Sequence, residues 1–392
     1  MKPIERIKTF HPDLTAIRQD FHANPELGFE EHRTCDIVAK QLEALGIEVH
    51  RGVGGTGVVG VLREGNGPVS IGLRADMDAL PILEANDVPY KSTRPGVMHA
   101  CGHDGHTTML LGAARYLAET RNFNGTVNFI FQPAEEGLGG AQAMLKDELL
   151  ARFPCDSLFG MHNHPGMPVG TFAIRPGTMM AAGAFFDIHV EGRGAHGARP
   201  ETSIDTILVA SHIVVALQAI VARNVSPLDT AVVSATSIKS GDAYNVIPQT
   251  AEIKGTVRTF RNEVMTLVEE NMRRTAAGVA AAFGASARVD FRRLFAPLVN
   301  DAEATAEFAD VVAAIVGDDN VERERSLIMA SEDFSFMLEQ RPGAYINIGN
   351  GDTVGSCPVH NPNYNFNDEI LPLGAAALAG IVEKKLPRMA GG

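Results

Sequence analysis

Helical patterns of apolar residues alternate with short apolar runs along the first part of the chain. Helical spacing is found over about Pro12–Ala23, Thr34–Leu45, His106–Thr120 and Ala141–Leu149. Apolar runs typical of buried strands cover Val58–Leu62, Val69–Leu73, Val127–Phe131 and Ser157–Met161. This βαβ-like alternation predicts an α/β fold with a largely parallel sheet covered by helices.

The pattern changes at about residue 183. Phe186, Ile188 and Val190 alternate with polar residues, which predicts a strand with one face in water. A helix over about Ser203–Arg223, strands Ala231–Ile238 and Ala251–Phe260, a helix Glu263–Phe283 and a strand Ala287–Leu294 follow. The order β-α-β-β-α-β is typical of a ferredoxin-like α+β unit.

Beyond about residue 295 the chain returns to helices and buried strands, at Thr305–Val316, Tyr345–Ile348 and Leu373–Lys385. We therefore predict one discontinuous α/β domain, residues 1–182 and 295–392, with an α+β domain inserted at 183–294. Three consecutive domains are the alternative. It is disfavoured because the candidate site residues described below fall on both sides of the insertion.

Composition and charge narrow the class of protein. The 392 residues carry a formal net charge of −13, which argues against nucleic acid or an anionic membrane as the main partner. No run of eighteen apolar residues predicts a transmembrane helix, and charges near the N-terminus do not fit a signal peptide. We expect a cytoplasmic protein. Its four cysteines are too few for a disulfide scaffold.

The densest cluster of chemically active side chains is His99-Ala100-Cys101-Gly102-His103-Asp104-Gly105-His106. Cysteine and histidine are preferred ligands of transition metals. Cys101 and His103 lie in a glycine-rich loop before a helix, so both side chains can point at one centre. The isolated histidines, His22 among them, are interpreted as surface or packing residues.

A second cluster follows the strand Val127–Phe131, where Glu135 and Glu136 stand side by side. Open α/β sheets bind their ligands at the carboxyl ends of strands. Two neighbouring acids at such a place can have different roles, one as a metal ligand and the other as a general base for a metal-activated water.

Further strand ends repeat this placement, and they carry Asp76, Asp78, His162 and His164, while His360 lies between two prolines. The set exceeds the four ligands of one metal. A pair of metals is the economical interpretation, although spacing alone does not choose two metals over one.

The inserted domain has candidates of its own. His196 lies in a glycine-rich turn between strand and helix, and Asn245 and Arg258 add an amide and a guanidinium. Arginine can pair with a substrate carboxylate through two hydrogen bonds.

Taken together, these residues resemble the aminoacylase/carboxypeptidase-type di-metal peptidase family, in its hippurate hydrolase and auxin-conjugate hydrolase branch. The motifs span nearly the whole chain, and their order makes the resemblance specific. They are His22–Gly28, Arg74–Pro81, Cys101/His103, Glu135/Glu136, Met161-His162, Gly194–Pro200, Asn245–Pro248, Ser331–Phe334 and His360–Pro362.

The resemblance implies two divalent metal ions (Mn, Zn, Co or Ni) held by Cys101, His103, Glu136, His162 and His360. It implies Glu135 as the base and later the acid, and Asp78 as the residue that orients a ligand. The inserted domain would be a lid that also forms a homodimer, with His196 reaching the neighbouring subunit's site. His106, His164 and Cys357 receive no role.

We therefore expect a metal-dependent amidohydrolase that cleaves the amide bond of N-acyl amino acids, with Asn245 and Arg258 holding the substrate carboxylate. An N-acetyl-diaminopimelate deacetylase or a dipeptidase is the alternative within the family. A catalytically silent metal-dependent binding protein is disfavoured, because it would not need Glu135.

Overall fold

The computed structural model describes residues 2–352 and 357–388. Contacts divide these residues into two compact units. The first comprises the chain up to Met179, Val299–Ser326 and the described residues from Asp333 onward; the second comprises Met180–Leu298 and Leu327–Glu332. The second unit thus includes residues 327–332, which the sequence analysis placed in the second segment of the α/β domain.

Helices and strands alternate in the first unit, as the apolar pattern predicts. Its helices are α1 Pro3–Ile7, α2 His11–Ala23, α3 His32–Ala44, α4 His103–Thr120, α5 Gly140–Lys146, α6 Leu149–Arg152, α9 Ala302–Val316, α10 Ser335–Leu338 and α11 Leu371–Lys385. Its strands are β1 Glu48–Val53, β2 Gly57–Glu64, β3 Ser70–Asp76, β4 Gly125–Gln132, β5 Ser157–Pro165, β6 Phe172–Ala173, β7 Gly177–Met180, β14 Leu298–Asn300, β15 Val321–Glu322 and β16 Gly343–Gly351.

Eight strands of this unit form one sheet in the order β1-β2-β4-β3-β5-β16-β6-β15. The central pairs β4–β3, β3–β5 and β5–β16 are parallel, whereas β1–β2, β2–β4 and β16–β6 are antiparallel. The parallel core confirms the predicted α/β class. It also brings the carboxyl ends of β3, β4 and β5 to one edge.

The core of the first unit lies between this sheet and its helices. Helix α4 is buried along almost its whole length, and α11 packs against it with small side chains such as Ala375 and Ala376. Buried aromatic residues of the sheet, among them Phe129, Phe131 and Phe159, fill the space beneath them. A helix buried this completely is held by packing rather than by capping.

The second unit is the predicted ferredoxin-like fold. Its strands are β8 Ala182–Glu191, β9 Ala195–His196, β10 Ala231–Lys239, β11 Val246–Ile247, β12 Thr250–Thr259 and β13 Ser286–Phe295, and its helices are α7 Thr206–Ala219 and α8 Asn262–Ala282. The main sheet has the order β10-β12-β8-β13, with all neighbours antiparallel. Strands β9 and β11 form a separate two-stranded pair.

Helix α7 continues through a π-helical turn to Asn224. The segment Thr206–Asn224 is long and apolar enough to cross a membrane by length and composition, and 33% of its most apolar window is buried. A helix over about Ser203–Arg223 was predicted from the sequence, but a transmembrane helix was not expected. One helix of this kind is weak evidence for a membrane span, because Val209, Ala210 and Ile213 pack in the core of the second unit.

Candidate metal centre

Three neighbouring strands and one helix start bring the polar side chains of the first unit together. Asp76 ends β3, Glu135 and Glu136 follow β4, and His162 lies near the end of β5. Cys101 precedes α4, and His103 is its first residue. Gly102 between them has φ 98°, a backbone conformation that favours glycine, and this turn aims both side chains at the same edge of the sheet.

The five predicted ligands fall into two groups of three that share one sulfur atom. Cys101, His103 and His162 have ligand atoms within 4.8 Å of one another, and so do Cys101, Glu136 and His360. Each group offers three ligand atoms that could hold one metal ion.

In the first group, Cys101 Sγ lies 3.3 Å from His162 Nε2. His162 Nδ1 lies 2.6 Å from the carbonyl oxygen of Asn163, to which it can donate, and this leaves Nε2 as the ligating atom. Burial, reinforced by His106, lowers the pKa of His162 well below its usual value. The imidazole is therefore neutral, as a metal ligand must be.

Cys101 is buried, and burial together with the carboxylates of Glu136 and Glu135 raises the pKa of its thiol well above the usual value. A thiol in such surroundings loses its proton only if a cation replaces it, and a coordinated thiol is deprotonated. The chemistry of the site thus favours Cys101 as a metal-bound thiolate rather than as a free nucleophile.

His103 is oriented by Asp78. Its Nδ1 lies 2.9 Å from Asp78 O and 3.1 Å from Asp78 Oδ1, whereas its Nε2 is buried without a hydrogen-bond partner among the described residues. Burial lowers the pKa of His103, but Asp76 and Asp78 outweigh burial and raise it to about 10. The surroundings of Nε2 therefore suit a positive charge, and an imidazole held by a carboxylate is the usual support of a metal ligand.

The second group joins distant parts of the chain. Glu136 Oε1 lies 3.1 Å from His360 Nε2. The His360 amide donates to the carbonyl oxygen of Ala100 at 2.7 Å, and His360 has φ 64°. Asp78 Oδ2 accepts from the Glu136 amide at 3.0 Å, so one carboxylate supports a ligand from each group.

Glu135 is buried next to Glu136, and its Oε1 accepts from the Asp333 amide at 3.3 Å. Its carboxylate oxygen also lies within 4.8 Å of ligand atoms of His103 and Glu136. A carboxylate at this distance can exchange a proton with a water activated at the centre.

The residues present fit two divalent ions. They offer a thiolate, three imidazoles and a carboxylate in two groups. The buried Nε2 of His103 has no hydrogen-bond partner in the part of the chain that the structure describes, and Asp78 orients the imidazole. Mixed sulfur, nitrogen and oxygen donors suit Zn, Mn, Co or Ni.

The unassigned residues His106 and His164 have other partners. His106 Nδ1 lies 2.6 Å from Asp76 Oδ1, and its Nε2 lies 2.8 Å from Asn163 Oδ1. Arg325 Nη2 donates to His164 Nε2 at 2.9 Å. Cys357 is a partly buried free thiol.

The remaining predicted site residues belong to the second unit. His196 on β9 is exposed and pairs with Val246 on β11, and the Gly197 amide donates to the Asn245 carbonyl at 2.7 Å. The predicted amide residue, Asn245, therefore lies directly before β11 and close to the turn that carries His196. Arg258 lies on β12, where its Nη1 donates to the Val257 carbonyl at 3.0 Å.

Several buried charged residues near the centre were missed by the sequence analysis. His22 is fully buried, with Nδ1 2.8 Å from Asp104 Oδ2 and Nε2 3.1 Å from Glu84 Oε1. The sequence interpretation of His22 as an ordinary surface or packing residue is therefore incomplete. Its place in the motif His22–Gly28 was the available signal.

A second missed group is a buried network under the Glu135 turn. Asp333 Oδ1 accepts from Gln132 Nε2 at 2.7 Å and from Arg74 Nη2 at 3.1 Å, and Asp333 Oδ2 accepts from the Ala141 amide at 2.9 Å. Asp333 thus connects the ends of two strands to the start of α5.

Comparisons with known proteins agree with this geometry. The model of the peptidase family M20/M25/M40 matches residues 72–384. Hippurate hydrolase from Campylobacter jejuni is 45% identical over 387 residues, which are 98% of this chain and 100% of that protein. N-acetylcysteine deacetylase from Bacillus subtilis is 40% identical over 96% of this chain and 98% of that protein.

Among solved structures, a dinuclear metal binding peptidase of the M20 family from Bacillus subtilis superposes with a TM-score of 0.83. It is 36% identical, and the match covers 97% of this chain and 99% of that one. The resemblance drawn from the motifs is confirmed, and so is the expected reaction class.

Proposed function

The chain belongs to peptidase family M20/M25/M40 and is a metal-dependent amidohydrolase of N-acyl amino acids, and we propose that its substrates carry a neutral or aromatic acyl group such as acetyl or benzoyl. The observation that carries the metal-dependent reaction is the pair of ligand groups sharing Cys101, with Glu135 beside them. The relatives named for hydrolysis of hippurate and deacetylation of N-acetylcysteine support the two acyl groups.

In the proposed mechanism Cys101, His103 and His162 would hold one ion, and Glu136 and His360, which lie next to Cys101, would hold the other. When bound, the ions would supply Lewis-acid activation for the attack of water on the substrate carbonyl. Glu135 Oε takes the proton of the water as its oxygen attacks the acyl carbon, and then passes the proton to the leaving amine nitrogen. Asp78 keeps His103 and the Glu136 backbone in place during the reaction.

Residues of the second unit complete the proposal. His196 stabilises the negative charge that develops on the acyl oxygen, for which one donor is typically worth about 10²–10³ in rate. Asn245 and Arg258 bind the carboxylate of the amino acid. Arg258 is half-buried, and burial lowers the pKa of its guanidinium. A bound carboxylate would offset that cost, which supports a role in binding.

We further propose a cytoplasmic homodimer formed through the second unit. Helix α7 exposes Ile207, Leu208 and Val215, which are 47%, 46% and 71% accessible, and β10 is an edge strand of its sheet. An apolar helix face beside an unpaired strand edge is suited to association with a second copy.

The test is a panel of substrates assayed after chelation and re-addition of single metals. N-benzoylglycine and N-acetyl amino acids are expected to be hydrolysed, with activity lost on chelation and restored by Mn²⁺, Zn²⁺, Co²⁺ or Ni²⁺. Preference for N-acetyl-diaminopimelate or for dipeptides with a free amino group would favour the alternative within the family. Absence of turnover with every substrate and metal would contradict the proposal.

Two matched variants distinguish the roles of Glu135 and Glu136. Glu135→Gln should lower turnover by about 10²–10⁴ and retain two metal ions per chain. Glu136→Gln should lose metal as well as activity. If metal analysis gives the reverse result, Glu135 is the ligand and Glu136 the base.

A further inference from the structure

The turn that carries Glu135 and Glu136 has a backbone that its own sequence does not favour. Ala134 has φ 53°, in the left-handed region where a Cβ is disfavoured. The turn is also tight, because the Gly140 amide donates to the Ala134 carbonyl at 3.0 Å. A Cβ at Gly140 would lie 1.6 Å from the carbonyl oxygen of Pro133. Contacts from elsewhere in the fold must keep this conformation.

Glu31 provides such a contact from the segment before α3. Its side chain is completely buried, and its Oε1 accepts from the Ala134 amide at 2.8 Å. Its other oxygen, Oε2, accepts from the hydroxyl of Thr56. Both oxygens therefore have donors, and one of the donors is the amide of the strained residue directly before Glu135.

The contact of Glu31 with this turn differs from the contacts that Asp78 and Asp333 make with it. Asp78 binds the Glu136 amide but also His103, and the Asp333 amide binds the Glu135 carboxylate itself. The side-chain hydrogen bonds described for Glu31 go to Ala134 and Thr56, and neither partner is a candidate metal ligand. Through these hydrogen bonds Glu31 acts on the centre by way of the backbone of the turn.

We propose that Glu31 is a positioning residue, whose buried carboxyl group fixes the left-handed backbone at Ala134 and thereby the directions of the Glu135 and Glu136 side chains. The inference rests on the proposed function for the role of Glu135. For Glu136 the inference can be tested without any catalytic activity, because the position of Glu136 is also measured by metal binding alone.

The free-energy cost of burying the carboxyl group of Glu31 supports a specific role for this residue. Burial raises the pKa of Glu31 to about 7, while the hydrogen bond from Thr56 opposes this rise. The folded chain therefore accommodates a carboxyl group in a place that disfavours its charge. Hydrogen bonds to two donors account for its presence better than packing does, since an apolar side chain would pack without that cost.

The test uses three substitutions at residue 31 in the full chain and one control next to it. Glu31→Gln keeps an oxygen that can accept from Ala134, Glu31→Asp keeps the charge but withdraws the acceptor by one methylene, and Glu31→Ala removes it. Glu30→Ala is the control, because Glu30 is the adjacent residue of the same type and is exposed. Mn²⁺ titrations of chelator-treated chains and steady-state kinetics with N-benzoylglycine are the measurements.

Glu31→Ala and Glu31→Asp are expected to weaken one of the two Mn²⁺-binding steps about 10–100-fold and leave the other step within about threefold, as losses of supporting contacts do. They should lower kcat by a similar factor with little change in KM. Glu31→Gln and Glu30→Ala should remain within about threefold of wild type in all of these values. Thermal unfolding shows which variants are folded, and Glu31→Asp carries the test if Glu31→Ala is not.

Two results would overturn the inference. The first is a folded Glu31→Asp or Glu31→Ala chain with unchanged Mn²⁺ affinities and kcat. The second is a Glu31→Gln chain as impaired as Glu31→Ala, since the negative charge rather than the hydrogen bond would then be needed. If the wild type hydrolyses no substrate, the proposed function fails, and the Mn²⁺ titrations still decide the role of Glu31.

Discussion

Asp78 shows how much one side chain does at the residue scale. One of its oxygens lies against the His103 imidazole and the other accepts from the Glu136 amide. The two residues belong to different ligand groups, since His103 begins helix α4 and Glu136 follows strand β4. A single carboxylate therefore keeps the two groups at a fixed distance from each other.

The His22 cluster gives a prediction for the dependence of stability on pH. Burial lowers the pKa of His22, but hydrogen bonds to Asp104 and Glu84 outweigh burial and raise it from 6.5 to about 9. The folded chain binds this proton more tightly than the unfolded chain. The stabilisation is thus complete below about pH 6.5 and is lost as the pH rises through about 9.

We expect the stability difference between wild type and His22→Gln to fall by about 2–3 kcal/mol between pH 6.5 and 9.5. Urea unfolding in the presence of a chelator measures it. His50→Gln is the control, since His50 is partly exposed beside Glu48, and its difference from wild type should stay nearly constant. A His22→Gln difference that does not change with pH would contradict the assignment.

At the scale of elements, helix α7 combines an apolar composition with limited burial. Val215 is 71% accessible in the second unit, and a side chain of this type gains free energy when a partner covers it. Val215→Lys is expected to shift the proposed dimer to monomers at micromolar concentration. Analytical ultracentrifugation measures the shift.

Leu228→Lys is the matched control for this prediction. Leu228 is 95% accessible but lies outside helix α7, so its substitution should leave the association unchanged. If both variants associate as wild type does, α7 is not the interface. If Leu228→Lys alone dissociates, the interface lies at the loop before β10.

Most helices and strands were predictable from the sequence, and the predictions that were wrong or missing have local causes. The buried strands β2 to β5 were predicted from short continuous apolar runs, and the long helices from the helical spacing of their apolar residues. The single helix expected at about Ala141–Leu149 is broken by Glu148, which has φ 58°. Strand β1 contains Arg51 and Gly52 and is mostly solvent-accessible, so its composition does not resemble a buried strand.

The parts of the candidate site that could be predicted lie in short motifs. Cys101 and His103, or Glu135 and Glu136, are neighbours in sequence and follow predicted strands or precede a predicted helix. Glu31 could not be found in this way, because its partner Ala134 lies in another part of the chain. Such a contact depends on the packing of the finished fold.

At the scale of the whole molecule, the second unit includes a return segment, residues 327–332, which lies outside the insertion predicted at 183–294. The amide of Ala181 donates to the carbonyls of Ile328 and Ala330, both at 3.0 Å, and this attaches residues 327–332 to the second unit. A segment of six residues without regular structure gives no periodic signal.

The proposed dimer leads to a prediction about His196. If His196 acts in the neighbouring subunit's site, a mixture of His196→Ala and Glu135→Gln chains should regain activity through mixed dimers. One site of each mixed dimer would contain an intact Glu135 and the partner's intact histidine. Assays before and after subunit exchange measure the gain, which should approach about a quarter of wild type at equal mixing.

Exchange itself is followed with differently tagged chains, so that a negative result can be interpreted. Exchange without recovered activity would show that His196 works within its own chain or not at all. A wild-type enzyme that is fully active as a monomer would also contradict the prediction.

The order of strands in the large sheet has a consequence for the synthesis of the protein. Strand β16 lies between β5 and β6, although both neighbours precede the whole second unit in the chain. At about 5–20 residues per second, a ribosome needs on the order of 10–40 s to extend the chain from Pro165 to Gly351. During that time the nascent chain carries the edge of β5 without its partner. The second unit can fold as it emerges from the ribosome. The first unit is synthesised from the N-terminus onward, but its sheet is complete only near the end of translation.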